Sequence, residues 1–139
     1  MILVFIENLQ QAKGKTIIRA HGIEKEVYEK AKKKNIKLID LTCPNVLKIH
    51  DLAYKYNKKG YYIILIGKKG HPETIGTISF CGDNSKIISD LDEVEQLIMD
   101  MKRANSKKVL VISHMHGILY SLFLVSILII PWKYVGDSE

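Results

Sequence analysis

Cysteine is scarce in this chain of 139 residues, with only Cys43 and Cys81. The two form no CxxC pair and cannot build a disulfide framework, which excludes the stapled secreted domains and suits a reducing cytoplasm. No secretory leader is expected in the first residues. Met1 to Ile6 is apolar but runs at once into Glu7 and Asn8, with no basic stretch before it and no small-residue cleavage site after it, so it reads as a strand. No internal repeat and no low-complexity segment is present. Acidic side chains number 15 against 21 basic ones, a net charge of +6. Lys30, Lys32, Lys33, Lys34, Lys58 and Lys59 fall on predicted helix faces and loops, and no reader motif or stacking stripe accompanies them. The excess is therefore read as a solvated surface, and no nucleic-acid partner is expected. Charge is missing altogether from Gly117 to Trp132. Ile118 to Pro131 has no amphipathic period and falls short of the roughly 20 apolar residues of a spanning helix. A buried helix, a membrane-associated tail and a segment foreign to the ancestral fold all remain open for it.

The rest of the chain alternates strand-like and helix-like periods, the pattern of βα units in a parallel sheet. Lys15 to Ala20, Lys37 to Thr42, Tyr61 to Gly67, Lys86 to Ser89 and Lys107 to Ser113 read as strands. Glu24 to Asn35 reads as a helix with Ile23, Val27 and Ala31 on one face. A second begins at Pro44, carries Val46, Ile49, Ala53 and Tyr56, and stops at Gly60. A third, Leu91 to Ala104, turns Leu91, Val94, Ile98 and Met101 inward. The expected class is α/β: one small parallel-sheet domain over 1–113, of a size able to bury a core, followed by an atypical apolar tail over 114–139.

His21, Cys43 and His71 each stand between a strand-like and a helix-like run. In a parallel sheet those positions share the rim where ligands bind, beside helix N-termini carrying about half a positive charge. A thiol at a helix N-terminus suits nucleophilic or metal chemistry, or is simply a small buried residue at a strand end. His71 and Glu73, one rigid proline apart, can address the same bound group, one holding an anion and the other moving a proton. Glu73 could equally just complement a helix dipole. Gly22 after His21 lets backbone approach a ligand, and a plain turn histidine is the alternative. His50 reads as a surface or packing residue. Cys81 is placed in a turn-like segment with no activating helix.

The segments Ile17-Ile18-Arg19-Ala20-His21-Gly22, Asp40-Leu41-Thr42-Cys43-Pro44 and Gly70-His71-Pro72-Glu73-Thr74-Ile75-Gly76-Thr77 together resemble the 4-hydroxy-3-methylbut-2-enyl diphosphate reductases, the IspH or LytB family. The resemblance covers about residues 1–113 and is similar mainly to the family's middle domain. It implies a fold in which three α/β domains surround a [4Fe-4S] cluster held by one cysteine from each, with Cys43 as the middle-domain ligand. His21 and His71 would line the pocket for the diphosphate of (E)-4-hydroxy-3-methylbut-2-enyl diphosphate, and Glu73 would be the catalytic acid. The implied reaction is a reductive dehydroxylation giving isopentenyl and dimethylallyl diphosphates in the methylerythritol phosphate pathway, with ferredoxin or flavodoxin as electron donor. Where the family runs into a Gln-Thr-Thr motif this chain has His114-Met115-His116. With one of three cluster cysteines in the matched stretch, the chain by itself is expected to be an inactive, truncated or frame-shifted product. The alternatives are a non-catalytic diphosphate- or anion-binding module and a membrane-associated remnant.

Overall fold

The structure, a computed structural model, describes residues 9–12, 15–104, 108–113 and 127–131. In chain order these form β1 (Lys15–Ile18), α1 (Lys25–Lys33), β2 (Lys37–Asp40), α2 (Pro44–Lys58), β3 (Tyr62–Ile66), α3 (Pro72–Cys81), β4 (Ser85–Ile88), α4 (Val94–Ala104), β5 (Lys108–Ser113) and β6 (Ile127–Pro131), with 3-10 turns at Leu9–Gln11 and Leu91–Glu93. The strand expected over Met1 to Ile6 lies outside the described residues, as do His114, His116 and most of the apolar segment.

The alternating βα grammar is present, but the parallel strands divide between two sheets. β1 and β2 pair in parallel with Ile17 opposite Ile39. The second sheet has the order β4-β3-β5-β6, parallel except at its last strand. There Ile127–Pro131 pairs antiparallel with β5, Ile112 opposite Ile127 and Lys108 opposite Pro131. Of the readings left open for the apolar tail, the buried helix does not describe 127–131, which form a strand. A charge-free run whose residues need no helical period is compatible with pairing at a sheet edge.

β3 is the centre of the core. Its continuous apolar run is what a parallel strand covered on both faces requires, and Tyr62 to Leu65 are all buried. Ile63 and Leu65 pack with Ile49 and Ala53 of α2, Cys81 of α3, and Leu110 and Ile112 of β5. Tyr62 and Ile64 face the other way, onto Ile88, Leu97, Met101 and Val109. α2 follows the expected stripe closely, with Val46, Ile49 and Ala53 buried. α4 departs from it. Asp90 accepts a hydrogen bond from the Asp92 amide and opens a 3-10 turn, so Leu91 sits outside the helix, 86% exposed, and the inward face starts at Leu97. Among the described residues no helix is long and apolar enough to cross a membrane.

Candidate functional site

The site is assembled from three turns that follow β1, β2 and β3. Pro44 and Pro72 occupy the first turns of α2 and α3, where the missing N–H costs nothing and the fixed φ suits the helix. The residues before them, Cys43 and His71, are therefore the caps. Cys43 offers no side-chain hydrogen bond to the helix it precedes, leaving its half-buried thiol uncommitted there. His71 Nδ1 accepts the Glu73 amide at 3.3 Å. In the neutral ring the proton is then on Nε2, which makes that nitrogen a donor for an incoming group.

His21 and Glu73 are joined. Nδ1 of His21 lies 2.8 Å from Oε1 of Glu73, a contact across the two sheets made by a half-exposed imidazole and a buried carboxylate. The His21 and His71 rings meet edge-on, 5.9 Å between centroids. Cys43 comes to the same place through its backbone, its amide donating to Ala20 O at 2.9 Å. The structure brings His21, His71 and Glu73 together, with the Cys43 turn hydrogen-bonded to the residue before His21. α3 packs there against α1 and α2, the helices that follow β1 and β2, and no single sheet carries all three turns.

Gly22 explains how the turns come so close. Its φ of +74° is a left-handed conformation, and a Cβ there would lie 3.0 Å from Cε1 of His50 and 3.2 Å from Cγ2 of Thr42. His50 is the floor under the turn, 2% exposed and stacked on Phe80 at 4.3 Å, so its packing reading holds. Cys81 corrects the sequence reading in position. It is the last residue of α3, and the helix stops at Gly82, whose φ is +73°. Its Sγ donates to Thr77 O, and burial pushes its thiol up to about 12, so it is packing material.

The residue that the sequence reading left without a role is Asp40. Its Oδ1 accepts both the amide (2.9 Å) and the hydroxyl (2.5 Å) of Thr42, and its Oδ2 accepts the Tyr28 hydroxyl at 2.9 Å. Aspartate two residues before a threonine is an Asx-turn spacing, a signal present in the chain though not used.

These turns and their motifs agree with comparisons to known proteins. The family model described as LytB protein matches residues 2–115. The chain belongs to the LytB family. A 4-hydroxy-3-methylbut-2-enyl diphosphate reductase of Caldanaerobacter subterraneus subsp. tengcongensis is 40% identical over 104 residues, 74% of this chain and 36% of that protein. One from Chlamydia felis is 47% identical over 96 residues, 68% of this chain and 31% of its own length. Among solved structures, the E-1-hydroxy-2-methyl-but-2-enyl-4-diphosphate reductase of Plasmodium falciparum superposes with a TM-score of 0.70 at 35% identity, covering 79% of this chain and 34% of that one. The chain spans about a third of the length of the curated relatives it matches.

A LytB-type iron–sulfur cluster finds an incomplete donor set. Of the two thiols, Cys43 is accessible and Cys81 is held in the core, and among the described residues no group of three or more His, Cys, Asp or Glu could hold a metal ion. The residues present do not by themselves fit a four-iron group, which is held by several thiolates.

Proposed function

We propose that this chain forms the diphosphate-holding and proton-supplying wall of a 4-hydroxy-3-methylbut-2-enyl diphosphate reductase site, with Cys43 as its one cluster thiolate. The observation that carries the reading is the buried Glu73 carboxylate bonded to His21 beside His71, at the N-terminus of α3. His71 and His21 each have one ring nitrogen engaged with Glu73, through its backbone amide and its carboxylate respectively, and in this reading the two rings address phosphate oxygens. The α3 dipole adds to the attraction for an anion. The hydrogen bond between Glu73 and His21 is the route by which, in this reading, a proton reaches a hydroxyl leaving as water next to the bound diphosphate. In this reading the substrate is the diphosphate ester named for the relatives, the electrons come from a ferredoxin or flavodoxin, and the compartment is the cytoplasm. The accessible donor set, a single thiol, favours a second reading in which the chain binds the anion and performs no reduction.

Titration with inorganic diphosphate separates the outcomes for the wall itself. A charge-assisted hydrogen bond is worth roughly 1.5–3 kcal/mol, so His71→Ala should weaken binding about tenfold or more at mildly acidic pH. Equal affinity in parent and variant would remove His71 from the site. For the acid, Leu41 to Thr77 grafted into a complete relative and carrying Glu73→Gln should keep the visible absorption and lose turnover. Full turnover in that graft would remove Glu73 from the role of acid.

A further inference from the structure

We infer that Asp40 is the positioning residue for Cys43: its carboxylate, held by the Tyr28 hydroxyl, closes the turn that ties Cys43 to the residue before His21. The chain of contacts is continuous. Tyr28 on α1 donates to Oδ2, and Oδ1 takes both the amide and the hydroxyl of Thr42. The next residue, Cys43, is fixed by its own amide on Ala20 O, one residue before His21. Thr42 is 5% exposed, and its methyl abuts Gly22, 3.2 Å from where a Cβ would be. The Thr42–Cys43 turn is therefore anchored by one carboxylate at the end of β2, and it lies against Gly22, the neighbour of His21. Without it Thr42 keeps its methyl contact and loses its polar anchors, so the turn is held only by the backbone bonds of Leu41 to Ile18 O and of Cys43 to Ala20 O, and the Cys43 side chain gains freedom. Hydrogen bonds to an ionised acceptor are about twice as strong as neutral ones, which suits an anchor that is itself near the surface. The importance of Cys43 rests on the proposed function above, whereas the link from Asp40 to Cys43 does not.

The test uses the 139-residue chain and iodoacetamide, with labelling at each cysteine followed by mass spectrometry. Cys81 is the internal control, because burial and a thiol raised to about 12 keep it unlabelled in a folded chain. Rates are taken across pH to the plateau where Cys43 is fully thiolate. A purely electrostatic influence of Asp40 would move the profile along the pH axis and leave the plateau where it was. Loss of position raises the plateau: Asp40→Ala should increase it at least about threefold through a looser turn, and Asp40→Asn, which keeps an acceptor for Thr42, should return it close to the parent. Should Asp40→Ala fail to fold, seen as labelling of Cys81, Tyr28→Phe carries the test and should raise the plateau by a smaller factor. An unchanged plateau in the folded Asp40→Ala chain, or in Tyr28→Phe where that variant is used, overturns the inference. Titration with inorganic diphosphate on the same preparations keeps the two proposals apart. Binding indifferent to His21→Ala and His71→Ala defeats the proposed function while leaving the Asp40 result standing.

Discussion

Asp40 shows how several weak effects decide the state of one side chain. Burial pushes its carboxyl up, but the Thr42 hydroxyl and amide, the Tyr28 hydroxyl and the nearby His50 outweigh that and hold it below its ordinary value. A depressed carboxyl stabilises the fold at pH values above its unfolded pKa, about 3.9, and that contribution is lost as pH falls through the folded value. Asp40→Asn has nearly the same shape and no charge. The parent should therefore unfold at higher urea than Asp40→Asn at neutral pH, with a gap that is constant above about pH 5 and closes below about pH 4. Urea midpoints measured across that range check it. A gap of equal size in acid would mean that the Asp40 charge contributes nothing and that amide geometry accounts for the difference. The side chain is largely exposed, so the gap is expected to be small.

Between elements, one hydroxyl does work that neither sequence nor periodicity advertises. α1 has no cap from its own N-cap residue, Glu24. Instead Ser79, in the last turn of α3, accepts the Lys25 amide at 2.9 Å and donates to Gly76 O at 2.5 Å. Ser79→Ala leaves one of the first amides of α1 without a partner and should cost about 1 kcal/mol, the usual worth of a cap. Chemical denaturation measures that cost, and hydrogen exchange should show the loss concentrated at the start of α1. An unchanged unfolding midpoint would mean that water replaces Ser79 at no cost. The same contact marks the limit of what could be read from the chain. Helix starts at Pro44 and Pro72 and the all-apolar β3 were legible, because proline stereochemistry and residue runs act locally. The split into two sheets, the strand at Ile127–Pro131 and the pair His21–Glu73 were not, because each depends on groups brought together from far along the chain. Leu91 was misplaced for a local reason, the Asp90 turn, which competes with the helix for the same residues. His21, Cys43 and His71 were placed after strands from the sequence, and Glu73 beside His71 from its spacing; that His21 and Glu73 meet required the fold. The turn that fixes Cys43 was overlooked although Asp40 and Thr42 stand in the sequence at the right spacing.

At the scale of the whole molecule α3 connects everything. Its cap is His71 and its first turn carries Glu73, its last turn holds α1 through Ser79, and its last residue, Cys81, is sealed into the core with Ile63, Leu65, Leu110 and Ile112. That arrangement bears directly on iron. A four-iron cluster on this chain alone would have Cys43 and could recruit Cys81 only by pulling the end of α3 off the four-stranded sheet. Opening a packed core around a residue of that size costs on the order of 2–5 kcal/mol, and it would also separate the site from its own support, since His71, Glu73 and Cys81 belong to one helix. Anaerobic reconstitution with iron and sulfide should accordingly leave well below about four irons per chain, with little absorption of the cluster type. Cys43→Ser should remove what iron is specifically held, and Cys81→Ala should not change it. Near four irons per chain with an intact core, judged by Cys81 remaining unlabelled by iodoacetamide, would show that one protein thiolate suffices and would overturn the account of an incomplete donor set.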